Sequence, residues 1–359
     1  MVPGTEQNSP NPEPYIDIFL SMPCSSLPFP AASLFMIGRY ESMSGSKKNK
    51  VVVIGAGRVG ESVVYTLAMS RTASEIVMVD VAVDRAKGSA LDINHGLAFH
   101  KQVTVRQGDY SDCADAKVII VTAGLARKPG QTRLDLAKSN VAIARQIAKS
   151  IMEYADDPVI VVISNPVDVL TYVIQQETGL PKSRVIGSGT ILDTARFRFM
   201  ISEECDVDIT DVNAYILGEH GDSQVPVWSR ATIAGMPLLE YCDKNGIDIR
   251  PKMQNIAQET NKAGGTVISL KGATYLGIAM NTSRIVDAIL EDEKAVLPVS
   301  HVLEGEILGI DDAAVSFPCV VDADGIKKIL DMDYTQEEEK AIVASAQTLK
   351  AFTRDALNM

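Results

Sequence analysis

Positive charge is the first thing this chain is short of. Its 359 residues carry 34 lysines and arginines against 46 aspartates and glutamates, a net charge of −12. Non-specific contact with nucleic acid or with an anionic membrane surface needs a positive field, so the balance argues against both as partners. Long hydrophobic runs are missing too: no stretch reaches the roughly 18–20 apolar residues of a membrane span. Cysteine is sparse and unpatterned. Cys24, Cys113, Cys205, Cys242 and Cys319 are odd in number and contain no C-x-x-C pair, which fits neither a zinc site nor a disulfide framework and suits a reducing cytoplasm. There are four histidines, His95, His100, His220 and His301, so the candidates for acid–base work are few and no metal site is indicated. His95 reads as a helix-end residue, and His100 and His301 as surface positions.

What is present is ordinary globular material, 46% hydrophobic and 22% charged, long enough for two domains with a sizeable core. Residues 1–49 differ in kind. They are rich in proline and serine, show no sustained period and end in the basic run 47-KKNK-50. Their start lacks the basic region of a secretory signal, and their acidic residues argue against a transit peptide. A disordered extension is expected there, with the ordered chain beginning near Met43.

From Lys50 onward the pattern becomes regular. The apolar run 51-VVVIG-55 enters 55-GAGRVG-60, an amphipathic stretch follows, and a second apolar run, 76-IVMVD-80, ends in Asp80, 20 residues after Gly60. Each part has a mechanical reason. Gly55 permits the tight turn, Gly57 lets the backbone approach a pyrophosphate, and Gly60 lets helix and strand pack closely. The helix N-terminus offers unpaired N–H groups to phosphates. Asp80 can accept from a ribose 2′-OH and would repel a 2′-phosphate, which points to NAD rather than NADP. Further strands are expected at 103–107, 117–124 and 159–166, with helices at 84–99, 132–153 and 167–178. This alternation predicts a Rossmann-type doubly wound parallel sheet over 50–190, followed by an α+β substrate domain over 191–359. Gly124 and Asn165 fall at carboxyl ends of strands, where such sheets bind ligands.

Four stretches carry polar groups suited to chemistry: 123-AGLARKPGQTRLDL-136 with Arg127 and Arg133, 164-SNPVD-168 with Asn165, 190-TILDTARFRFM-200 with Asp193 and Arg196, and 215-YILGEHGDSQVPVWS-229 with His220. Singly, each has a bland reading: a solvated loop arginine, a helix cap, an exposed ion pair, a turn histidine. Beside a dinucleotide site they become specific. Hydride transfer to a 2-oxo acid needs a proton donor, a partner that keeps the donor charged, a cation that polarises the carbonyl and a fork that grips the carboxylate. His220, Asp193, Arg133 and Arg196 supply these four in chemically sensible forms.

These motifs, in this order and spacing from about Lys50 to the C-terminus, resemble the lactate/malate dehydrogenase superfamily. The resemblance implies His220 as proton donor and acceptor, Asp193 as its orienting partner and Arg196 as the grip on the C1 carboxylate. It implies Arg133 as the carbonyl-polarising group on a closing loop, and Asn165 and Thr274 among the substrate contacts. It also implies NAD held by Gly55, Ala56, Gly57, Arg58, Val59, Gly60, Asp80, Thr122, Ala123, Gly124, Asn140, Ile163 and Asn165, and a homodimer or homotetramer. The family's specificity position, six residues before the polarising arginine, is Arg127. An arginine there would pair with the second carboxylate of oxaloacetate, which predicts an L-malate dehydrogenase of the tricarboxylic acid cycle. The lactate-like wording of 271-KGATY-275, Thr274 included, keeps L-lactate dehydrogenase or a broader 2-hydroxy acid enzyme as the alternative. In the substrate half a long helix is expected through 272–290, with strands near 296–303 and 313–321 and a C-terminal helix from about Thr335.

Overall fold

Strands with no polar face organise the structure. In the computed structural model, which describes residues 49–100, 103–126 and 130–357, β1 (Lys50–Ile54) is buried throughout. So are β4 (Val118–Val121) and β5 (Val159–Val162). A strand buried on both faces belongs inside a parallel sheet covered by helices on each side. The chain supplies that cover by alternation: β1, α1 (Arg58–Ser70), β2 (Glu75–Val79), α2 (Val83–Gly96), β3 (Thr104–Gln107), β4, α3 (Arg133–Met152), β5, α4 (Val167–Thr178) and β6 (Val185–Gly187). The six strands run parallel in the order β3-β2-β1-β4-β5-β6. The chain leaves β1 first to one side and later to the other. A crevice therefore opens at the carboxyl ends of β1 and β4, the point where such sheets take ligands.

The second half starts with α5 (Ile191–Cys205), then β7 (Val212–Leu217), β8 (Val225–Ile233), β9 (Met236–Pro237) and α6 (Leu238–Asn245). It continues with α7 (Met253–Lys271), α8 (Leu276–Leu290), β10 (Ala295–Glu304), β11 (Asp311–Asp322), β12 (Gly325–Ile329) and α9 (Gln336–Leu357). The β10–β12 meander is antiparallel and joins the large sheet beyond β6, through Ser300 opposite Gly187, giving nine strands. The boundary expected near 190 thus falls in the turn between β6 and α5, while one sheet draws strands from both sides of it. A separate three-stranded sheet, β7-β8-β9, carries its own small core, in which Phe197 of α5 meets Trp228 of β8 edge to face with ring centroids 4.7 Å apart.

Several expected boundaries move. The helix expected through 272–290 is two helices. Gly272, at φ +84°, closes α7 in the left-handed region, and α8 starts at Leu276. A residue with a side chain disfavours that conformation, so the glycine writes the break. Strand β4 stops at Val121 rather than running to 124, because the next residues turn over the β1–α1 loop. Asn49 is the first described residue of the expected N-terminal extension; the rest of it, and Cys24, lie outside the described residues, as does Arg127.

His301 corrects an expectation outright. It is no surface residue but sits in the middle of β10, only 4% exposed. The sequence hides this because β10, like β11, is buried along most of its length, so no polar–apolar alternation marks where its side chains point. His100 is exposed, and His95 lies exposed in the last turn of α2.

Candidate active site

The glycine turn between β1 and α1 forms the first wall. Gly55 sits at φ +112°, and a Cβ there would stand 2.6 Å from Thr122 Oγ1. At Gly60 a Cβ would meet the Gly55 carbonyl oxygen at 1.8 Å. Both positions are closed to any side chain. Thr122 locks the turn from behind, donating its hydroxyl to Gly55 O at 3.0 Å. At Gly57 a Cβ would meet nothing within 4 Å, so this backbone faces open space, as a phosphate-binding turn must. Asp80, past the end of β2, accepts from Ala56 N at 2.6 Å and Ala82 N at 2.7 Å. That fixes a carboxylate beside the turn where a ribose hydroxyl would arrive. The residues present therefore fit a dinucleotide.

The opposite wall is the loop after β7. Gly218 exchanges backbone hydrogen bonds with Ser316 of β11, and Glu219 N donates to Ser345 Oγ of α9 at 2.9 Å. The amide of Asn261 on α7 donates to Gly221 O and Asp222 O. The loop is thus tied from three elements before its functional residue is considered. His220 Nδ1 lies 2.5 Å from Asp193 Oδ2, and Arg196 Nη1 donates to the other oxygen of Asp193 at 3.0 Å. Asp193 is 3% exposed. The exposed ion pair that residues 193 and 196 could have formed is instead a buried bridge between α5 and the histidine loop.

Burial alone would drive the His220 ring neutral. The negative charges of Asp193, through Coulomb attraction and the hydrogen bond, and of Asp168 overcome it and raise the pKa to about 9. Asp193 is itself held below the usual carboxylate range: burial opposes ionisation, but the imidazolium and Arg196 outweigh it. With Nδ1 committed to Asp193, Nε2 is left as the ring's working atom toward the cleft.

That cleft encloses about 300 Å³, and its lining includes Val59, Ile163, Asn165, Asp193, Arg196, His220, Asp222 and Thr274. The structure thus brings together sequence-assigned residues from both halves of the chain. Gly264 of α7 flanks Arg196, and a Cβ there would stand 3.5 Å from the guanidinium. Gly264 was not legible from local motifs, because α7 was not foreseen as a wall of the site; Asp222 lay within the histidine-loop motif but was given no role there. Asn140 enters differently from its expected contact role: it is 2% exposed and spends its amide on Leu125 and on Asn165 O, as a strut beneath the cleft loops. Arg133, the first residue of α3, lies within a Thr132–Asp135 capping box and pairs at the cleft mouth with Asp222 at 2.7 Å. Among the described residues no group of histidines, cysteines and carboxylates could hold a metal ion. A cavity of about 340 Å³ at the β12 edge, lined in part by His301, Lys182 and Glu306, lies apart from all of these motifs.

An imidazole kept protonated beside a dinucleotide cradle defines an NAD-dependent oxidoreductase of 2-hydroxy acids. The chain belongs to the lactate/malate dehydrogenase family. Residues 49–187 match the lactate/malate dehydrogenase NAD binding domain, and residues 190–359 match the family's alpha/beta C-terminal domain. It is 45% identical over 309 residues to the L-lactate dehydrogenase of Priestia megaterium, covering 86% of this chain and 96% of that one. It is 45% identical over 305 residues to L-lactate dehydrogenase 1 of Clostridium acetobutylicum, covering 85% and 97%. The crystal structure of the minor L-lactate dehydrogenase from Enterococcus mundtii in its ligands-bound form superposes with a TM-score of 0.83 at 45% identity, over 86% of this chain and 98% of that one.

These relatives overturn the malate dehydrogenase expectation, and the tricarboxylic acid cycle with it. The expectation rested on Arg127 alone. Substrate choice is a difference of free energies over the whole closed site. Among the described residues, Arg196 and the protonated His220 line the cleft and Arg133 stands at its mouth, each paired with an aspartate. The lactate-like Thr274, on the cleft wall, marked the better branch.

Proposed function

We propose that the protein is a cytoplasmic, NAD-dependent L-lactate dehydrogenase, interconverting pyruvate and L-lactate. The observation that carries the reading is the buried Asp193–His220 pair beside Arg196, in a chain whose full-length relatives are L-lactate dehydrogenases. Residues 50–190 serve the cofactor, through Gly55, Ala56, Gly57, Arg58, Val59, Gly60, Asp80, Thr122, Ala123, Gly124 and Ile163, with Asn140 supporting Asn165. Residues 191–359 serve the substrate. Free, buried Cys113, Cys205, Cys242 and Cys319 suit a reducing compartment.

Arg196 holds the carboxylate of the 2-oxo acid by two parallel hydrogen bonds, a geometry that only a guanidinium offers. Arg133 exchanges Asp222 for the keto oxygen when the loop closes and stabilises the charge that develops there. Asn165 and Thr274 position the substrate against that pair. When bound, NADH supplies the hydride that reduces the keto carbon, and NAD+ takes it back in the reverse direction. His220 donates the Nε2 proton to the forming alkoxide, and Asp193 keeps the ring charged until then. In lactate oxidation the neutral ring accepts that proton. Steady-state NADH oxidation tests the substrate: kcat/KM for pyruvate is expected to exceed that for oxaloacetate by at least about tenfold. The reverse order would remove the lactate reading.

A further inference from the structure

One carboxylate near His220 acts on more than the charge of its ring. Asp168 lies in the first turn of α4, three residues after Asn165, and is 3% exposed. A buried acid normally has every oxygen matched. Here Oδ2 accepts from the main-chain N–H of His220 at 2.8 Å, while Oδ1 has no hydrogen-bond partner. The Ser300 hydroxyl lies near it but makes no hydrogen bond of good geometry. A structural role alone would be served as well by an uncharged side chain, without the cost of burying a carboxylate.

The contact it makes is specific. The imidazole of His220 is gripped by Asp193 on α5, but its backbone is gripped by α4, through Asp168. The turn from β5 into α4 therefore carries two groups at fixed spacing: Asn165 on the cleft wall, and the carboxylate that sets the main chain of His220. We propose that Asp168 is a positioning residue for proton transfer, holding the His220 backbone so that its ring, on Asp193, stays in register with Asn165. This rests on reading the site as a 2-oxo acid reductase.

The polar and charged groups around the pair come from four elements. Asp193 and Arg196 face the ring from α5, and Asp168 reaches it from α4; Ser300 of β10 and Glu219, in the histidine's own loop, face Asp168. Asp168 and Asp193 favour the protonated ring and Arg196 opposes it. Burial raises the pKa of Asp168 itself to about 6, with Ser300 and the His220 N–H easing the rise. Its charge is therefore present through the neutral and alkaline range.

Two variants separate the hydrogen bond from the charge. Asp168→Asn keeps an acceptor oxygen for the His220 N–H, whereas Asp168→Ala removes it. The full-length enzyme is assayed with pyruvate and NADH, alongside NADH affinity by fluorescence. Asp168→Ala is expected to lose about 100-fold in kcat with NADH affinity unchanged, and Asp168→Asn to recover most of that loss. In Asp168→Asn the alkaline limb of pyruvate reduction should move down by about one pH unit, because the ring loses a favourable charge. A folded Asp168→Ala with wild-type kcat, or an Asn variant no better than Ala, overturns the proposal. If the alanine variant fails to fold, Asp168→Asn decides alone: a loss of about 100-fold in kcat, with an acceptor still offered to the His220 N–H, overturns it. A histidine-ring NMR titration of the same variant, without substrate, reads the shift at His220 directly. Wild type that fails to reduce pyruvate would sink the lactate reading and leave that titration interpretable.

Discussion

Two histidines in this chain answer burial in opposite ways. His301, in β10, has Cys319 Sγ at 3.8 Å from Nδ1 and no hydrogen-bond partner at Nε2. Burial there pushes its pKa down to about 4, with Glu306 opposing only weakly. His220, whose side chain keeps 28% exposure, is also penalised by burial, yet Asp193 and Asp168 carry it to about 9. Burial is the largest single effect at both rings and acts in the same direction, so the opposite outcomes follow from whether carboxylates meet the ring. One histidine is kept neutral as packing; the other is kept charged as a proton donor.

The sharpest way to break the contrast is to remove the carboxylate that makes it. Asp193→Asn leaves a group of the same shape on Nδ1 but no charge, and should move the surroundings of His220 toward those of His301. By analogy with other histidine–aspartate pairs, kcat for pyruvate reduction is expected to fall about 10³–10⁴-fold. A loss of less than tenfold would show that the pair does not set the protonation of the ring.

The pH dependence of the wild-type enzyme tests the same charge without mutation. The reduction direction needs the ring protonated, so kcat/KM for pyruvate should be level through neutrality. Above about 9, the raised pKa of His220, it should decline about tenfold per pH unit. Oxidation of lactate needs the neutral ring and should rise over that interval. A decline in pyruvate reduction centred near 6.5, the ordinary histidine value, would mean that the carboxylates do not raise the ring's pKa.

Why one histidine could be assigned from sequence and the other could not follows from the same comparison. His220 sits in a short glycine-bounded loop after an apolar run, and GEHGDSQVPVWS is a local pattern. The glycine turn at 55–60 is local too, as are the buried runs that become β1, β4 and β5. His301 is defined by what lies across it: β11 pairs along its length, Val315 standing opposite, and nothing local signals that pairing. Asp168 was in view within SNPVD, yet its partner is 52 residues away and is a backbone N–H, which no side-chain pattern reveals. The α7 wall escaped for the same reason: Asn261 and Gly264 act by lying against the histidine loop and Arg196. Substrate choice was misread because one prominent arginine was weighed against no knowledge of the surrounding cleft.

The smallest effect expected lies at His301 and appears in stability rather than rate. Its folded pKa of about 4 is below the unfolded value near 6.5, so the unfolded chain binds the proton first as pH falls. The folded state therefore loses stability from about pH 6.5 downward, by about 2 kcal/mol at pH 5 from this residue alone. The sign is opposite for His220, whose raised pKa contributes stability that is complete below about 6.5 and fades as pH rises toward 9. His301→Gln removes the titrating group at similar length. Urea unfolding at pH 7 and pH 5 should show a drop in stability about 2 kcal/mol smaller in the variant than in wild type, with kcat for pyruvate unchanged at pH 7. An equal drop in both would mean that His301 takes up its proton in the folded state as readily as in the unfolded chain, and that the β10–β11 pairing does not hold it neutral.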